Sequence, residues 1–178
     1  MNTAPTGAAH VVLVGMMGTG KSTVGRRVAR ELHRPFVDSD DQIVSRSGRR
    51  VTEIFATDGE AAFRSLESAV MSDLLTAPEP SVIAAAGGAV LDPTTRSLMR
   101  THGTVVWMQA PVGVLVDRTR RGTHRPALAE DPEGTLQRME DDRSSLYAEV
   151  ADITVDSSRP VDAVVRSILD ALDPVVAP

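Results

Sequence analysis

Residues 15–22, GMMGTGKS, carry the clearest chemical signal in the sequence. Gly15 is followed by four residues and then by Gly20, Lys21 and Ser22, which fits the pattern G-x-x-x-x-G-K-S/T completely. In such a loop the backbone N–H groups face phosphate oxygens, the following helix adds its positive N-terminal end, and the lysine reaches the β- and γ-phosphates. The serine hydroxyl is a magnesium ligand. We therefore predict binding of a nucleoside triphosphate with Mg²⁺ by Gly18, Thr19, Gly20, Lys21, Ser22 and Thr23.

Two residue types that occur only once indicate which base the nucleotide carries. Guanine-specific switch proteins have an Asn-Lys-x-Asp motif in addition to the phosphate loop. This chain has a single lysine, Lys21, which lies in the phosphate loop, and a single asparagine, Asn2. The guanine motif is therefore excluded, and we expect ATP.

Asp38 and Asp40 form a candidate acidic pair at the end of the second apolar run. If the strand continued through them, alternation would project both carboxylates to one side, near the phosphate loop. One carboxylate could then hold magnesium while the other orients or deprotonates an alcohol. Ser39 followed by Gln42 fits a helix-capping box equally well, so the local sequence leaves both interpretations open.

The chain around these residues alternates short apolar runs with longer helical patterns. Strands are predicted at Val11–Val14, Pro35–Val37, Val82–Ala85, Thr104–Met108 and Ile153–Val155. Helices are predicted near residues 21–33, 60–75, 93–101, 111–120, 133–148 and 161–172. Repeated strand-then-helix units favour an α/β fold, in which a mostly parallel sheet carries helices on both faces and binds ligands at the carboxyl ends of its strands.

Composition favours a single domain over residues 1–178, with flexible ends at 1–9 and 174–178. The net charge of −5 argues against a general nucleic-acid-binding protein. No apolar run approaches the roughly 18 residues of a membrane span, and the N-terminus lacks the features of a secretory signal. The absence of cysteine excludes disulfides and thiol chemistry. We expect a cytoplasmic protein without nucleic-acid or membrane partners.

An arginine-rich segment, RTRRGTHRPALAEDPEG, occupies residues 118–134. Its two glycines and two prolines predict an irregular excursion between two helices. Next to a nucleotide site, such a segment would be a lid over about residues 118–131. Taken alone, it is also typical of a solvated charged loop.

Taken together, these segments resemble the shikimate kinases. The motifs GMMGTGKSTVGRRVA, DSD, IFATDGEAAFRSLES, AGGAV, the RP of the arginine-rich segment and RSSLYAEVAD follow the order and spacing of that family, from about Val11 to Ile168. The resemblance implies a nucleoside-monophosphate-kinase-like, three-layer α/β fold with a five-stranded parallel sheet and a mobile lid. It also implies a monomeric enzyme that transfers the γ-phosphate of ATP to the 3-hydroxyl of shikimate, a step towards chorismate and the aromatic amino acids.

The resemblance assigns roles at the nucleotide end of the site. Lys21 matches the catalytic lysine, and Arg125 matches a lid arginine whose charge would neutralise the transferring phosphate. Arg118 matches an arginine that stacks near adenine, and Arg159 is a weaker match to the adenine loop. Asp38 matches the residue that supports magnesium.

A second group of residues matches the substrate end of the site. Shikimate is a small carboxylate with three hydroxyls, and Arg64 and Arg143 match the arginines that bind its carboxylate, a task that suits the guanidinium fork. Asp40 matches the residue that binds the substrate hydroxyls and is the candidate base. Gly87 matches the glycine whose N–H contacts the substrate, and Gly88 follows it in the same motif.

The sequence departs from the family pattern in two places. Ala86 replaces the first glycine of a triplet, which would cost about 1–2 kcal/mol if that position required a positive φ. The segment Arg143–Tyr147, RSSLY, lacks the proline that usually precedes its leucine. Neither change removes a charged group, so we expect an active enzyme.

Two other functions compete with this one. A kinase for gluconate or a nucleoside monophosphate would use the same loop and fold, although Arg64 and Arg143 suggest a compact carboxylate. An ATP-dependent binding module would bind ATP without phosphorylating an acceptor. Without the resemblance, Arg64 would be interpreted as an i,i+4 surface partner of Glu60.

Overall fold

The computed structural model describes residues 9–120 and 131–172. Its strands are β1 (His10–Val14), β2 (Phe36–Asp38), β3 (Val82–Ala84), β4 (Gly103–Gln109) and β5 (Ile153–Asp156). They pair in parallel to form one sheet in the order β2–β3–β1–β4–β5. The described helices are α1 (Lys21–Glu31), α2 (Ser39–Ser47), α3 (Val51–Leu75), α4 (Pro93–His102), α5 (Val112–Arg120), α6 (Pro132–Val150) and α7 (Val161–Leu172).

Alternating residues of the central strands divide the core between the two faces of the sheet. Val11 and Leu13 of β1 pack on the face covered by α1 and α7. Val12 and Val14 pack on the opposite face, which is covered by residues from α3, α4, α5 and α6. Strands buried on both faces are typical of parallel sheets in three-layer α/β folds. The predicted fold class is confirmed.

The predicted strands were all found, with ends that differ by at most one residue, but one helix was missed. α2 was not predicted because only Ser39 and Ile43 are buried along it, which leaves almost no apolar periodicity. α3 begins at Val51 rather than near residue 60 and is broken at Gly59, whose φ of 83° and ψ of 174° are not helical. The break hides the first part of the helix from a periodic reading of the sequence.

Neither departure from the family pattern disturbs the backbone. Among the described residues, the one non-glycine residue with a positive φ is His33, so Ala86 carries no left-handed strain. Ser145 lies inside α6, where a residue with a backbone N–H can continue the helical hydrogen bonds.

Several predictions fall on residues outside the described ranges. They include Arg125, most of the lid over residues 118–131, and the ends predicted to be flexible, apart from Ala9. None of the helices in residues 9–120 and 131–172 combines the length and apolarity that crossing a membrane requires.

Gly59 should be intolerant of alanine for conformational reasons alone. Its φ and ψ lie in a region open essentially only to glycine, while a Cβ there would meet no atom within 4 Å. We expect Gly59→Ala to lower the free energy of unfolding by about 1–3 kcal/mol.

Gly113→Ala is the matched control, since this glycine lies in α5, has no positive φ and also has open space around its Cβ position. It should raise the free energy of unfolding by about 0.5–1 kcal/mol. Urea unfolding of both variants measures the difference, and two changes of the same sign would contradict the assignment of strain to Gly59.

Candidate active site

The phosphate loop connects the carboxyl end of β1 to the start of α1. Gly15, Gly18 and Gly20 have φ values of 141°, 86° and 87°, which L side chains rarely adopt. A Cβ on Gly15 would also collide with the carbonyl oxygen of Met108 at the end of β4. The loop can therefore approach β4 closely only because glycine stands at this position.

The first turn of α1 presents its N–H groups toward the loop. Within the described residues, no side chain caps this helix at Gly20. The ammonium of Lys21 crosses the loop and donates hydrogen bonds to the carbonyl oxygens of Gly15 (2.8 Å) and Met16 (3.0 Å). Uncapped N–H groups beside an ammonium form a ready site for anionic oxygens.

Asp38 connects the phosphate loop to the start of α2. Its Oδ2 accepts a hydrogen bond from the Ser22 hydroxyl at 2.5 Å, and its Oδ1 accepts one from the N–H of Asp40 at 3.1 Å. Asp38 is thus the last residue of β2 and also the cap of α2. The alternative interpretation, in which Ser39 and Gln42 form a capping box, is wrong, because the Ser39 hydroxyl accepts a hydrogen bond from the N–H of Ala86 at 2.8 Å.

The acidic pair lies where it was predicted, but not for the predicted reason. β2 ends at Asp38 and Asp40 belongs to the first turn of α2, so strand alternation does not relate the two carboxylates. Both nevertheless line the same cavity, together with Ser22.

The donors at this end of the cavity fit Mg²⁺. In the described part of the chain, no group of three or more histidine or acidic residues is arranged to hold a metal ion. Mg²⁺ in kinase sites takes one or two protein oxygens, substrate phosphates and waters, so a protein cage is not required. The adjacent oxygens of Ser22 and Asp38, next to the phosphate loop, supply this kind of donor set.

Arg64 is held by two glutamates of its own helix. Its Nη1 donates to Oε2 of Glu67 at 2.8 Å, and its Nη2 donates to Oε1 of Glu60 at 3.3 Å. The side chain of Glu67 is only 5% exposed, whereas that of Glu60 is 67% exposed. The surface pair with Glu60 therefore exists, but the buried partner is Glu67.

The carboxyl of Glu67 lies in an environment that disfavours its charged form. Burial raises the pKa of its carboxyl, and hydrogen bonding to Arg64 opposes that shift only in part. Its Oε1 is buried and has no hydrogen-bond partner among the described residues. The Arg64 guanidinium is thus the group that pairs with this buried carboxylate.

The glycine segment, Ala86–Gly88, follows β3 and lies against both arginines. A Cβ on Gly88 would collide with the guanidinium of Arg64. A Cβ on Gly87 would lie 3.6 Å from Nη1 of Arg143 and 3.4 Å from the carbonyl oxygen of Gly15. The absence of side chains at these positions therefore lets the two guanidinium groups and the phosphate loop converge.

These groups line one cavity of about 980 Å³. It unites the phosphate loop with Asp38, Asp40, Arg64, the glycine segment, Arg118 and Arg143. Its remaining wall is mainly apolar and includes Met17, Val51, Phe55, Ala56, Phe63 and Met139. One cavity thus joins the phosphate loop to a pocket lined by two guanidinium groups and a carboxylate, those of Arg64, Arg143 and Asp40.

Two of the predicted nucleotide residues that the structure describes, Thr19 and Arg159, do not line this cavity. Thr19 is buried, and its hydroxyl donates to the carbonyl oxygen of Met16 at 2.8 Å, so it supports the loop from inside. The guanidinium of Arg159 contacts the Ser167 hydroxyl of α7 at 3.5 Å. Arg125 lies outside the described residues. Arg118, by contrast, reaches the carbonyl oxygen of Gly18 at 3.3 Å.

The apolar wall was not predicted from the sequence. The rings of Phe55 and Phe63 contact each other at a tilt, with centroids 4.4 Å apart, although eight residues of continuous helix would separate the two residues by about 12 Å. The break at Gly59 brings them together. Glu67 was also missed as the partner of Arg64, although both residues lie in the quoted motif IFATDGEAAFRSLES, where an i,i+3 spacing could have indicated the pair.

Comparisons with known proteins agree with this geometry. The family model described as shikimate kinase matches residues 17–173. A shikimate kinase of Burkholderia lata is 45% identical over 167 residues, which cover 93% of this chain and 90% of that protein. The chain belongs to the shikimate kinase family. Members of this family are ATP-dependent kinases that phosphorylate a hydroxyl of shikimate.

Solved structures support the same assignment. The shikimate kinase from Acinetobacter baumannii, in complex with shikimate, superposes with a TM-score of 0.87 at 36% identity and covers 92% of each chain. A gluconokinase from Sinorhizobium meliloti matches with a TM-score of 0.64 at 23% identity, which shows a shared fold alone. The fold predicted for a nucleoside-monophosphate-kinase-like protein is thus confirmed, and family membership favours shikimate over gluconate.

Glu67→Gln tests whether the buried carboxylate holds Arg64 in place. The amide keeps the size of the side chain but loses the charge that pairs with the guanidinium. We expect the KM for shikimate to rise about tenfold, equivalent to about 1.4 kcal/mol, with little change in the KM for ATP. Glu60→Gln, which alters the exposed partner, should change the KM for shikimate less than twofold.

The same variant should alter the pH dependence of stability. Because burial raises the pKa of Glu67 above its ordinary value of 4.5, the folded chain retains a proton that the unfolded chain releases. Stability of the unaltered chain therefore falls as the pH rises through the interval above 4.5. Glu67→Gln should lack this loss, and parallel curves of melting temperature against pH for the two proteins would argue against it.

Proposed function

We propose that this member of the shikimate kinase family transfers the γ-phosphate of ATP to the 3-hydroxyl of shikimate in the presence of Mg²⁺. The product is shikimate 3-phosphate, an intermediate on the way to chorismate and the aromatic amino acids. The observation that carries the proposal is the single cavity in which Lys21 and the phosphate loop face the same space as Arg64, Arg143 and Asp40.

The substrate end of the cavity binds the ring acid. Arg64 and Arg143 both lie against the glycine segment, so their guanidinium groups bind the carboxylate there, with the N–H groups of Gly87 and Gly88 as further donors. The apolar wall, which includes Phe55 and Phe63, packs against the ring. Asp40 binds the hydroxyls on the side of the ring that faces the phosphate loop.

The phosphate end binds the triphosphate. Backbone N–H groups of Gly18, Gly20 and the first turn of α1 hold its oxygens, with Lys21 and Thr23 at the same surface. Ser22 and Asp38 would hold Mg²⁺, which neutralises charge on the phosphates when it is bound. Arg118, next to Gly18, lies beside the adenine.

Transfer requires that the acceptor hydroxyl be aligned with the phosphate and relieved of its proton. Asp40 accepts that proton or orients the hydroxyl, and positioning rather than covalent chemistry supplies most of the rate. Closure of the lid over residues 118–131 and a charge contact from Arg125 remain predictions from the sequence, as does a contact of Arg159 with the adenine. The lid would exclude water, which competes as an acceptor.

Several coarser properties also remain predictions. We expect residues 1–178 to form one kinase domain that acts as a monomer in the cytoplasm, without nucleic-acid or membrane partners. Size-exclusion chromatography with light scattering tests the oligomeric state, and a mass near twice the 19.0 kDa of the chain would contradict the prediction.

The direct test is to measure release of ADP from ATP and Mg²⁺ with shikimate as the acceptor. Gluconate and a nucleoside monophosphate, at the same concentration, serve as competing acceptors. We expect ADP release that depends on shikimate alone. Release no faster than the ATPase background would refute the function, and preference for another acceptor would reassign it.

Asp40→Asn should abolish turnover while leaving the nucleotide site intact. The amide cannot accept a proton from the hydroxyl, so kcat should fall at least about 100-fold, while the Kd for ATP changes less than twofold. Asp41→Asn is the matched control, because Asp41 also lies exposed in the first turn of α2 but does not line the cavity. Equal activities of the two variants would remove Asp40 from the mechanism.

A further inference from the structure

We propose that Tyr147 is a positioning residue for the substrate carboxylate, acting through the glycine segment rather than by touching the substrate. This inference rests on the proposed function of the cavity. It assigns a task in the active site to a residue that is buried in the core.

Tyr147 is fixed on several sides. Its side chain is fully buried, and its hydroxyl donates a hydrogen bond to the carbonyl oxygen of Gly87 at 2.6 Å. The same hydroxyl lies 3.9 Å from the sulfur of Met16 in the phosphate loop. Its ring stacks on Trp107 of β4, with centroids 5.8 Å apart. The hydroxyl therefore has a defined direction and a single strong acceptor.

The bond to Gly87 sets the direction of the next N–H group. In a trans peptide the carbonyl of one residue and the N–H of the next point in opposite directions. When the carbonyl of Gly87 points at Tyr147, the N–H of Gly88 points away from it. None of the hydrogen bonds within residues 9–120 and 131–172 uses the N–H of Gly88, and Gly88 lines the cavity. This N–H is thus available to a ligand.

The same residue connects this N–H to the two arginines. Arg143 and Tyr147 are four residues apart on α6 and so lie on one face of the helix. The tyrosine hydroxyl and Nη1 of Arg143 each lie 3.6 Å from the point where a Cβ on Gly87 would stand, and Arg64 lies against Gly88. Tyr147 therefore fixes the orientation of the peptide between Gly87 and Gly88 beside both guanidinium groups.

The donor role of Tyr147 is independent of pH across the working range. Burial raises the pKa of its hydroxyl, so the proton stays on the oxygen. The hydroxyl thus acts as a permanent donor to Gly87 and takes no part in proton transfer.

Tyr147→Phe isolates this contact, because it removes the hydroxyl but keeps the ring and its stacking on Trp107. We expect the KM for shikimate to rise at least about fivefold, with kcat and the KM for ATP changing less than twofold. For a shikimate analogue that lacks the carboxylate, Tyr147→Phe should lower kcat/KM less than twofold relative to the unaltered chain. The reason is that this analogue offers the N–H of Gly88 no anionic partner in either protein.

Trp107→Phe is the control for a merely structural effect. It weakens packing around Tyr147 without touching the hydroxyl, so it should lower the melting temperature but leave the KM for shikimate within twofold of the unaltered chain. An unchanged KM for shikimate in Tyr147→Phe would overturn the proposal. Equal losses for shikimate and ATP, or for shikimate and the analogue, would overturn it as well.

A measurement on the unaltered protein keeps the proposal testable if Tyr147→Phe does not fold. The amide of Gly88 should be protected from hydrogen exchange when shikimate is added, and not when an ATP analogue is added alone. Exchange at an equal rate with and without shikimate would contradict the proposal. Turnover of shikimate by the unaltered chain tests the proposed function separately, so failure of one leaves the other distinguishable.

Discussion

The active site depends on the register of three parallel strands. Leu13 of β1 is paired with Ala84 of β3, and Ala84 is paired with Asp38 of β2, so these three residues lie at one level across the sheet. The phosphate loop, the glycine segment and the start of α2 therefore leave the sheet side by side. A shift of one residue in either pairing would turn the strand's side chains to the opposite face and separate the groups that must meet.

Charged groups at this edge are held by contacts with other groups of the protein. Lys21 is anchored on two carbonyls of its own loop, Asp38 is held by Ser22, and Arg64 is held by Glu67. Fixing these side chains in the protein reduces the entropy that must be lost when the substrates bind. Glu67 is the unfavourable group in this arrangement, because burial disfavours its charged form and raises the pKa of its carboxyl. We infer that this unfavourable burial is tolerated because Glu67 holds the guanidinium of Arg64 at the cavity.

Most of the fold follows from local patterns in the sequence. Each of the five strands is a short segment whose apolar residues are contiguous or alternate, and α1 and α7 carry a strong apolar stripe, so their positions could be predicted within a few residues. α2 could not, because a helix that buries two residues leaves almost no periodic signal. The break at Gly59 could not be predicted either, because one glycine in a helical pattern does not reveal whether its φ is positive.

The sequence by itself determined the chemistry of the phosphate loop, because all of its residues lie within one contiguous stretch whose backbone conformation requires glycine. It also indicated the acidic pair from the residue types and the two substrate arginines from the resemblance to the family. Only the tertiary structure decided which groups meet: Phe55 with Phe63 across a broken helix, and Tyr147 with Gly87 across 60 residues of chain. The first contact depends on the φ and ψ of Gly59, and the second depends on the packing of α6 against the sheet that also carries the glycine segment. Neither cause is visible in the local sequence pattern.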